Sequence, residues 1–415
     1  MMSFLKNLPA WALILFLGSV LAAQAGPVIL GDETLAADHF KALAGKRVGL
    51  LTNPSGVNRH LDSTVEVLRG AASVKLVALF GPEHGVYGEA EAGEKVQNTR
   101  DPRTGLAVYS LYPKHKPTPE MLKDLDVLVY DLQDTGCRSY TFITTMGMAM
   151  EACGEAGVEF MVLDRPNPLG GVRIEGAPVK EPFRSSVSKW EIPYVYGMTC
   201  GELARMINGE GWIKPACRLT VVPLKNWKRT MAWPDTGLPW VPTSPHVPHG
   251  NSPQYLVATG MLGELGDTNI SIGIGYTLPF ECIAAPGVDG HRLADALNAC
   301  HLAGLHFRPI SYKPFYGPFK GESVSGVQIY FTDLASAPLT AVNFFAAEAL
   351  KKSCGLDVFA RSVENQRGFS MFDKVNGSDE PRKRLQSDHS AAEIVASWKP
   401  AEDAFRARRQ KYLLY

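Results

Sequence analysis

Short apolar runs, each breaking into a polar turn, recur along the first half of the chain. Arg47 to Thr52 ends at Asn53-Pro54-Ser55-Gly56, and Val74 to Phe80 ends at Gly81-Pro82-Glu83-His84-Gly85. Val127 to Tyr130 runs into Asp131-Leu132-Gln133-Asp134-Thr135-Gly136, and Phe160 to Leu163 into Asp164-Arg165-Pro166-Asn167-Pro168. Runs this short and this continuously apolar predict strands buried on both faces. Helix-like segments lie between them: amphipathic Thr64 to Ala72, Phe142 to Ala156 stopped by Gly157, and a segment opening at the capping-box sequence Thr199-Cys200-Gly201-Glu202. With a further strand from Val221 to Leu224, the alternation predicts an α/β fold, a Rossmann-like parallel sheet covered by helices on both faces.

The pattern then changes. Residues 227 to 255 carry Trp227, Trp233 and Trp240 among closely spaced prolines, which reads as an irregular connection packing a domain junction or as the wall of a groove. Beyond it, strands at Ile270 to Ile274 and Val327 to Phe331 and helices at Gly290 to Leu297 and Ala341 to Lys351 predict a smaller α+β C-terminal domain. The tail from Ala391 to Leu414 reads as helical, with Arg406, Arg408, Arg409 and Lys411 on a solvated face. Ahead of all this, Lys6 precedes the apolar stretch Ala10 to Ala22, and Ala23-Gln24-Ala25 supplies a small-x-small cleavage pattern. The expected division is an export signal at 1–25, a sheet domain at 26–230 and a C-terminal domain at 231–415, in a protein that is periplasmic or secreted after cleavage and has no membrane partner thereafter.

Composition narrows the chemistry. Lys and Arg total 42 against 42 Asp and Glu, which removes any electrostatic case for nucleic acid. Neither a GxGxxG nor a GxxxxGK[ST] sequence is present, so phosphate-cradling loops and nucleotide cofactors have no support. The seven cysteines lack metal-ligand spacing and read as small buried hydrophobes, with one or two disulfides allowed by an oxidising compartment. His246 and His249 alone do not make a metal site, and no metal is expected.

In a doubly covered parallel sheet, ligands bind outside the carboxyl ends of the strands. Asn53, Glu83, His84, Asp131, Gln133, Asp134, Asp164, Arg165 and Asn167 all stand at such ends. Asp and Asn also form turns and helix caps, so each alone is as well explained by structure. Glu83 is different, because Glu is a poor turn former and the glycines flanking Pro82-Glu83-His84 imply a backbone shaped to present it.

These motifs, with Arg138, Tyr140-Thr141, Leu169-Gly170-Gly171 and the ending Arg409 to Tyr415, resemble the NamZ-type exo-β-N-acetylmuramidases across essentially the whole mature chain. The resemblance implies an active-site cleft between a Rossmann-like domain and a smaller C-terminal one. It implies release of N-acetylmuramic acid from the non-reducing end of peptidoglycan fragments, whether muropeptides or MurNAc-GlcNAc glycans. It places a catalytic carboxylate at Glu83, with His84 beside it, and a second at Glu175 in Ile174-Glu175-Gly176. Glycosidic cleavage needs a proton donor and a second group that stabilises or attacks an oxocarbenium-like centre. Glu83 is the expected acid, with Glu175, Asp131 or Asp134 as its partner; the substrate's own 2-acetamido group is the other possible nucleophile. Arg138, Arg165 and Tyr140 are expected contacts for the lactyl carboxylate and hydroxyls of the sugar. The chain departs from the family pattern at His246, where asparagine is expected, at Gly275-Tyr276-Thr277, in place of Arg-Gly-Thr, and at Glu264-Leu265-Gly266-Asp267. Two other classes fit the same polar groups: a metal-dependent hydrolase using Asp131, Asp134, Asp164 and His84, and a non-catalytic peptidoglycan-binding protein.

Overall fold

The computed structural model describes residues 26–265, 269–366, 368–387 and 389–415, so the expected export signal lies outside the described residues. The first half alternates as its pattern predicts. Helix α1 (Gly31–Ala37) leads to strand β1 (Arg47–Thr52), α2 (Thr64–Gly70) and β2 (Lys75–Gly81). Then come β3 (Thr99–Arg100), β4 (Ala107–Ser110), α3 (Pro119–Leu122), β5 (Val127–Asp131) and α4 (Phe142–Ala156). Strand β6 (Glu159–Leu163), α5 (Cys200–Gly209) and β7 (Arg218–Val222) complete it.

Among the described residues these seven strands form one sheet in the order β3-β4-β2-β1-β5-β6-β7. All neighbours are parallel except the short β3–β4 pair. One face packs Phe80, Tyr130 and Phe160 against Phe142, Met146 and Leu203, and the other packs Leu50, Val129 and Met161 beside Leu35 and Leu68. Burial on both faces is why β5 has no exposed residue and no polar alternation. The expected capping box forms at the start of α5: the Thr199 hydroxyl accepts from the Glu202 N–H, and the Glu202 carboxylate accepts from the Thr199 N–H.

The second half opens with α6 (Ser252–Gly263), followed by β8 (Cys282–Ala285), α7 (Gly290–Asn298), β9 (Leu305–Tyr312), β10 (Val324–Phe331) and α8 (Ala341–Cys354). Strands β8, β10 and β9 make a separate antiparallel sheet, in that order. Short helices follow: α9 (Ala360–Glu364), α10 (Ser370–Asn376), α11 (Glu380–Gln386), α12 (Ala391–Ala396) and α13 (Lys399–Arg409). The core of this half takes in Cys137, Leu169, Tyr194 and Val195, so the two halves share one continuous apolar interface.

Three expectations change. The strand at Ile270 to Ile274 is not formed; Ser271 makes only an isolated bridge to Ala284, because Gly273 and Gly275 take left-handed backbone conformations that end any ladder. The basic tail is a solvated face only in part: Arg406 and Lys411 are exposed, but the tail returns to the first domain, where Phe405 and Tyr412 enter the core, buried Arg409 donates to the carbonyls of Tyr196 and Gly197, and half-buried Arg408 pairs with Glu210. All seven cysteines are free thiols and five are buried, so the disulfides an oxidising compartment allows are not formed.

Candidate active site

The turn after β2 presents Glu83 through a strained, internally braced loop. A Cβ at Gly81 would meet the Val86 nitrogen at 2.7 Å, and Gly85 has φ +77°, so both positions require glycine. His84 itself sits at φ 71°, and its ring Nδ1 lies 2.8 Å from the Ala90 carbonyl of the same loop. His84 is therefore a buried brace that fixes the turn next to Glu83.

Around the half-buried Glu83 carboxylate the fold collects groups from four segments. The Thr141 hydroxyl, at the N-cap of α4, donates to one oxygen at 2.7 Å, and the Gly93 N–H donates to the other at 3.0 Å. The Tyr112 hydroxyl lies near it, and burial together with that negative charge raises the Tyr112 pKa. His115 is buried, with Nδ1 2.8 Å from the Thr145 hydroxyl, which in turn donates to the Thr141 carbonyl at 3.2 Å. Its other ring nitrogen is buried without a protein partner, and desolvation holds its pKa below the usual histidine value while Glu83 pulls the other way.

A second carboxylate stands at the C-terminal end of α6, within electrostatic reach of the first. Glu264 is pushed up to about 7, first by desolvation and then by the negative charge of Glu83. Its place beside the carbonyl end of a helix disfavours the anion further. Glu264 therefore keeps its proton up to near neutral pH, with the Glu83 carboxylate as the lesser of the two causes.

Of the residues expected from sequence, Tyr140 and Asn53 join this neighbourhood. The Tyr140 hydroxyl donates to Thr243 Oγ1 at 2.7 Å and feels the charge of Glu83; Asn53 Nδ2 donates to the Thr243 carbonyl at 2.9 Å. The others are engaged inside the protein. Asp131 is fully buried in a bidentate pair with Arg165 at 2.6 and 2.9 Å and accepts from the Thr64 hydroxyl at 2.5 Å. Gln133 Nε2 donates to the carbonyls of Asp134 and Pro166. Asp134 accepts from the Tyr196 hydroxyl and the Gly136 N–H, and burial pushes it up to about 6. Asp164 holds the start of α5, accepting from Thr199 and Gly201, and also accepts from the Tyr415 hydroxyl at 2.7 Å. Asn167 bridges Met198 and Leu169. Arg138 spends its guanidinium on Ser188 and on the carbonyls of Ala177, Ile192 and Val375, clamping the two halves together. Glu175 pairs with Arg173 and accepts from the N–H groups of Leu339 and Thr340 just ahead of α8. It lines a cavity of about 490 Å³ with Arg173, Arg229 and Arg406, and the groups that touch it share no member with those around Glu83.

A family model for the N-terminal part of the exo-β-N-acetylmuramidase NamZ matches residues 48–251, and the model for the C-terminal part matches residues 257–415. The chain belongs to the NamZ exo-β-N-acetylmuramidase family. It is 43% identical over 415 residues to the peptidoglycan β-N-acetylmuramidase NamZ of Bacillus subtilis (strain 168), with 97% of each chain covered. Crystal structures of two DUF1343 family proteins from Bacteroides fragilis NCTC 9343 are similar, with TM-scores of 0.87 at 48% identity and 0.70 at 29%. Each comparison covers 94% of this chain and 99% of the other.

Within this NamZ-family chain, sequence reasoning identified the Glu83 turn but not Tyr112, His115 or the role of Glu264. Tyr112 and His115 follow the carboxyl end of β4, a short parallel strand whose run is too brief to read from the sequence, and Glu264 ends a helix rather than a strand. Among the described residues no three His, Cys, Asp or Glu groups come together in a way that could hold a metal ion.

Proposed function

We propose that this chain is an exo-acting glycoside hydrolase that removes N-acetylmuramic acid from the non-reducing end of peptidoglycan fragments, with Glu83 and Glu264 as its paired carboxyl groups. Family membership across both domains carries the reaction class. The single observation that supports the pair is that Glu264 is desolvated and raised to about 7 by burial and by Glu83. A carboxyl group that keeps its proton near neutral pH is what acid-assisted cleavage of a glycosidic bond needs.

In this mechanism the proton moves to the leaving glycosidic oxygen as the bond to the anomeric carbon breaks, and the remaining carboxylate faces the positive charge that develops there. Sequence reasoning assigned the proton to Glu83. Desolvation favours placing it on Glu264, with Glu83 as the acceptor held by Thr141 and the Gly93 N–H. Either carboxylate or the substrate's 2-acetamido group then closes the open valence of the anomeric carbon before water completes hydrolysis. Glu175 is left with a structural part, holding the approach to α8. Muropeptides and MurNAc-GlcNAc glycans are the proposed substrates. The segment up to Ala25 is proposed as a cleaved export signal that delivers the enzyme to the periplasm or beyond, which N-terminal sequencing of the mature protein tests.

The deciding experiment is hydrolysis of a chromogenic β-N-acetylmuramide beside the corresponding glucosaminide, by the mature chain and by Glu83→Gln and Glu264→Gln. Turnover of the muramide alone, lost by at least about a hundredfold in both folded variants, is expected. Preference for the glucosaminide would refute the substrate, and full activity in either variant would remove that residue from the mechanism.

A further inference from the structure

An aromatic ladder leads outward from this site and has no part in the acid chemistry. Tyr312, on β9, stacks on Tyr276 with ring centroids 4.5 Å apart, and Tyr276 packs against Phe315 at 5.7 Å. The next residue, Tyr316, stacks on His246 at 6.1 Å and 24°, and its hydroxyl lies 2.8 Å from His246 Nε2. The outer rungs are left open: Phe315 is 63% exposed and Tyr316 50%. The two exposed rings are consecutive in the chain and close the ladder's outer end.

The ladder is held in place by its backbone. The Phe315 N–H donates to the Gly275 carbonyl at 2.6 Å, and a Cβ on Gly275 would stand 2.1 Å from the Tyr316 carbonyl oxygen, so the two segments touch without room for a side chain. At its inner end, His246 follows by three residues Thr243, whose hydroxyl accepts from Tyr140, the neighbour of the Thr141 that holds Glu83. The exposed rings are thus tied to the segment that borders the site and fixed in orientation.

We propose that Tyr316, backed by His246 and flanked by Phe315, is the stacking platform for the N-acetylglucosamine on the leaving side of the scissile bond. This rests on the muramidase reading above. In an exo enzyme the terminal sugar enters a blind pocket, whereas the leaving side must open to solvent because the glycan continues there. A pyranose presents a face of C–H groups that packs on an aromatic ring, and its rim hydroxyls stay wet, which suits rings that are half exposed. The half-buried His246 adds a hydrogen-bonding group at the edge of the same platform.

The test compares Tyr316→Ala with the parent on two substrates that share the glycone: the disaccharide MurNAc-β-1,4-GlcNAc, and β-N-acetylmuramyl fluoride, whose leaving group is a single atom. The expected result is a fall of about tenfold in kcat/KM on the disaccharide, mainly through KM, with the fluoride changed by less than about twofold. Tyr316→Phe, which keeps the ring, should recover most of the loss. Equal losses on both substrates would overturn the proposal, since Tyr316 would then act on the glycone or the fold. No loss on either would also overturn it. A parent chain inert toward both substrates refutes the muramidase reading, and the platform with it, which is distinct from an active parent and an indifferent variant.

Discussion

Replacing Asp131 separates a structural carboxylate from a substrate-binding one. Its side chain is fully buried, accepts two hydrogen bonds from Arg165 at 2.6 and 2.9 Å and one from Thr64 at 2.5 Å, and no part of it contacts the Glu83 cluster. Asp131→Ala leaves the Arg165 guanidinium buried with only the Val57 carbonyl as an acceptor. Breaking a buried pair from one side costs about 3–5 kcal/mol, because an uncompensated charge remains. Part of this is recoverable from Asp32. Both of its carboxylate oxygens are buried without partners, and its pKa is raised to about 7 by burial and then by Asp131 itself. With Asp131 gone, Asp32 ionises more readily and stands in as counter-ion, so Asp131→Ala/Asp32→Asn should be less stable than Asp131→Ala alone. Urea unfolding at neutral pH measures the midpoint and slope, and kcat/KM on the muramide is taken at a temperature where each variant is folded. The expected outcome is a midpoint lowered at constant slope, with kcat/KM within about threefold of the parent. A variant of parental stability with turnover lost would refute this and return Asp131 to the substrate.

The other predictions follow from the same contacts. Activity that needs a proton on the Glu83–Glu264 pair should fall as pH rises through about 7, the value to which Glu264 is raised; Glu264→Asp should move that limb of the kcat/KM profile, and an unmoved limb would assign it elsewhere. Thr141→Val removes the 2.7 Å hydrogen bond to Glu83 and should lower kcat about tenfold with little change in stability, read by steady-state kinetics and thermal melts. Arg138→Met orphans three buried carbonyls and should lower stability by about 3 kcal/mol or more while leaving KM for the muramide unchanged; a raised KM would instead favour a contact to the lactyl carboxylate. Stability should also decline between pH 5 and 8. Burial raises Asp134 and Asp164 to about 6 and Asp32 and Glu264 to about 7, so each binds its proton more tightly folded than unfolded. Their contribution is complete below the unfolded values near 4 and is lost as pH climbs through the folded ones. His115 and His246, lowered by burial, oppose this only below about pH 6.5, and a melting temperature that rises from pH 6.5 to 8 would contradict it.

The sheet was legible because burial on both faces leaves so little choice of residue. Strand β1 and helix α4 have the bounds their patterns imply, β5 and β6 differ by a residue at one end, β2 differs by one at each end, and β7 lies earlier than the Val221 to Leu224 run, at Arg218–Val222. Where the sequence misled, a tertiary contact overrode a local pattern. The apolar run after Asn269 is bent out of a ladder by two left-handed glycines. The tail reads as wholly solvated because its cations are many, and Arg406 and Lys411 are exposed, yet Arg409 and Arg408 are taken up by the carbonyls of Tyr196 and Gly197 and the carboxylate of Glu210 on the first domain. His246 and Tyr276, two of the departures from the family pattern, become intelligible only when the fold sets both in one aromatic ladder.

The position of the site follows from how the sheet is closed off. In a sheet whose strand order reverses between β1 and β5, the crevice at that switch point is where a ligand is expected. Here that crevice is filled from within. Asn53 binds the Thr243 carbonyl, Ser55 accepts from the Gln133 N–H, and Trp233, Leu238 and Trp240 of the proline-rich connection cover Ser55, Gln133 and Arg165, leaving only a small gap of about 20 Å³. The polar groups at the ends of β1, β5 and β6 are therefore consumed inside the protein, Asn53 on the connection and Asp131, Asp134 and Asp164 on the first domain and the chain's end. The carboxyl end of β2, one strand beyond the switch, carries the group left outside this plug, and the same connection that seals the crevice continues into α6 and brings Glu264 over to Glu83. Strand-end position alone could not distinguish Glu83 from Asp131; what separates them is which strand end the second domain covers and which it faces.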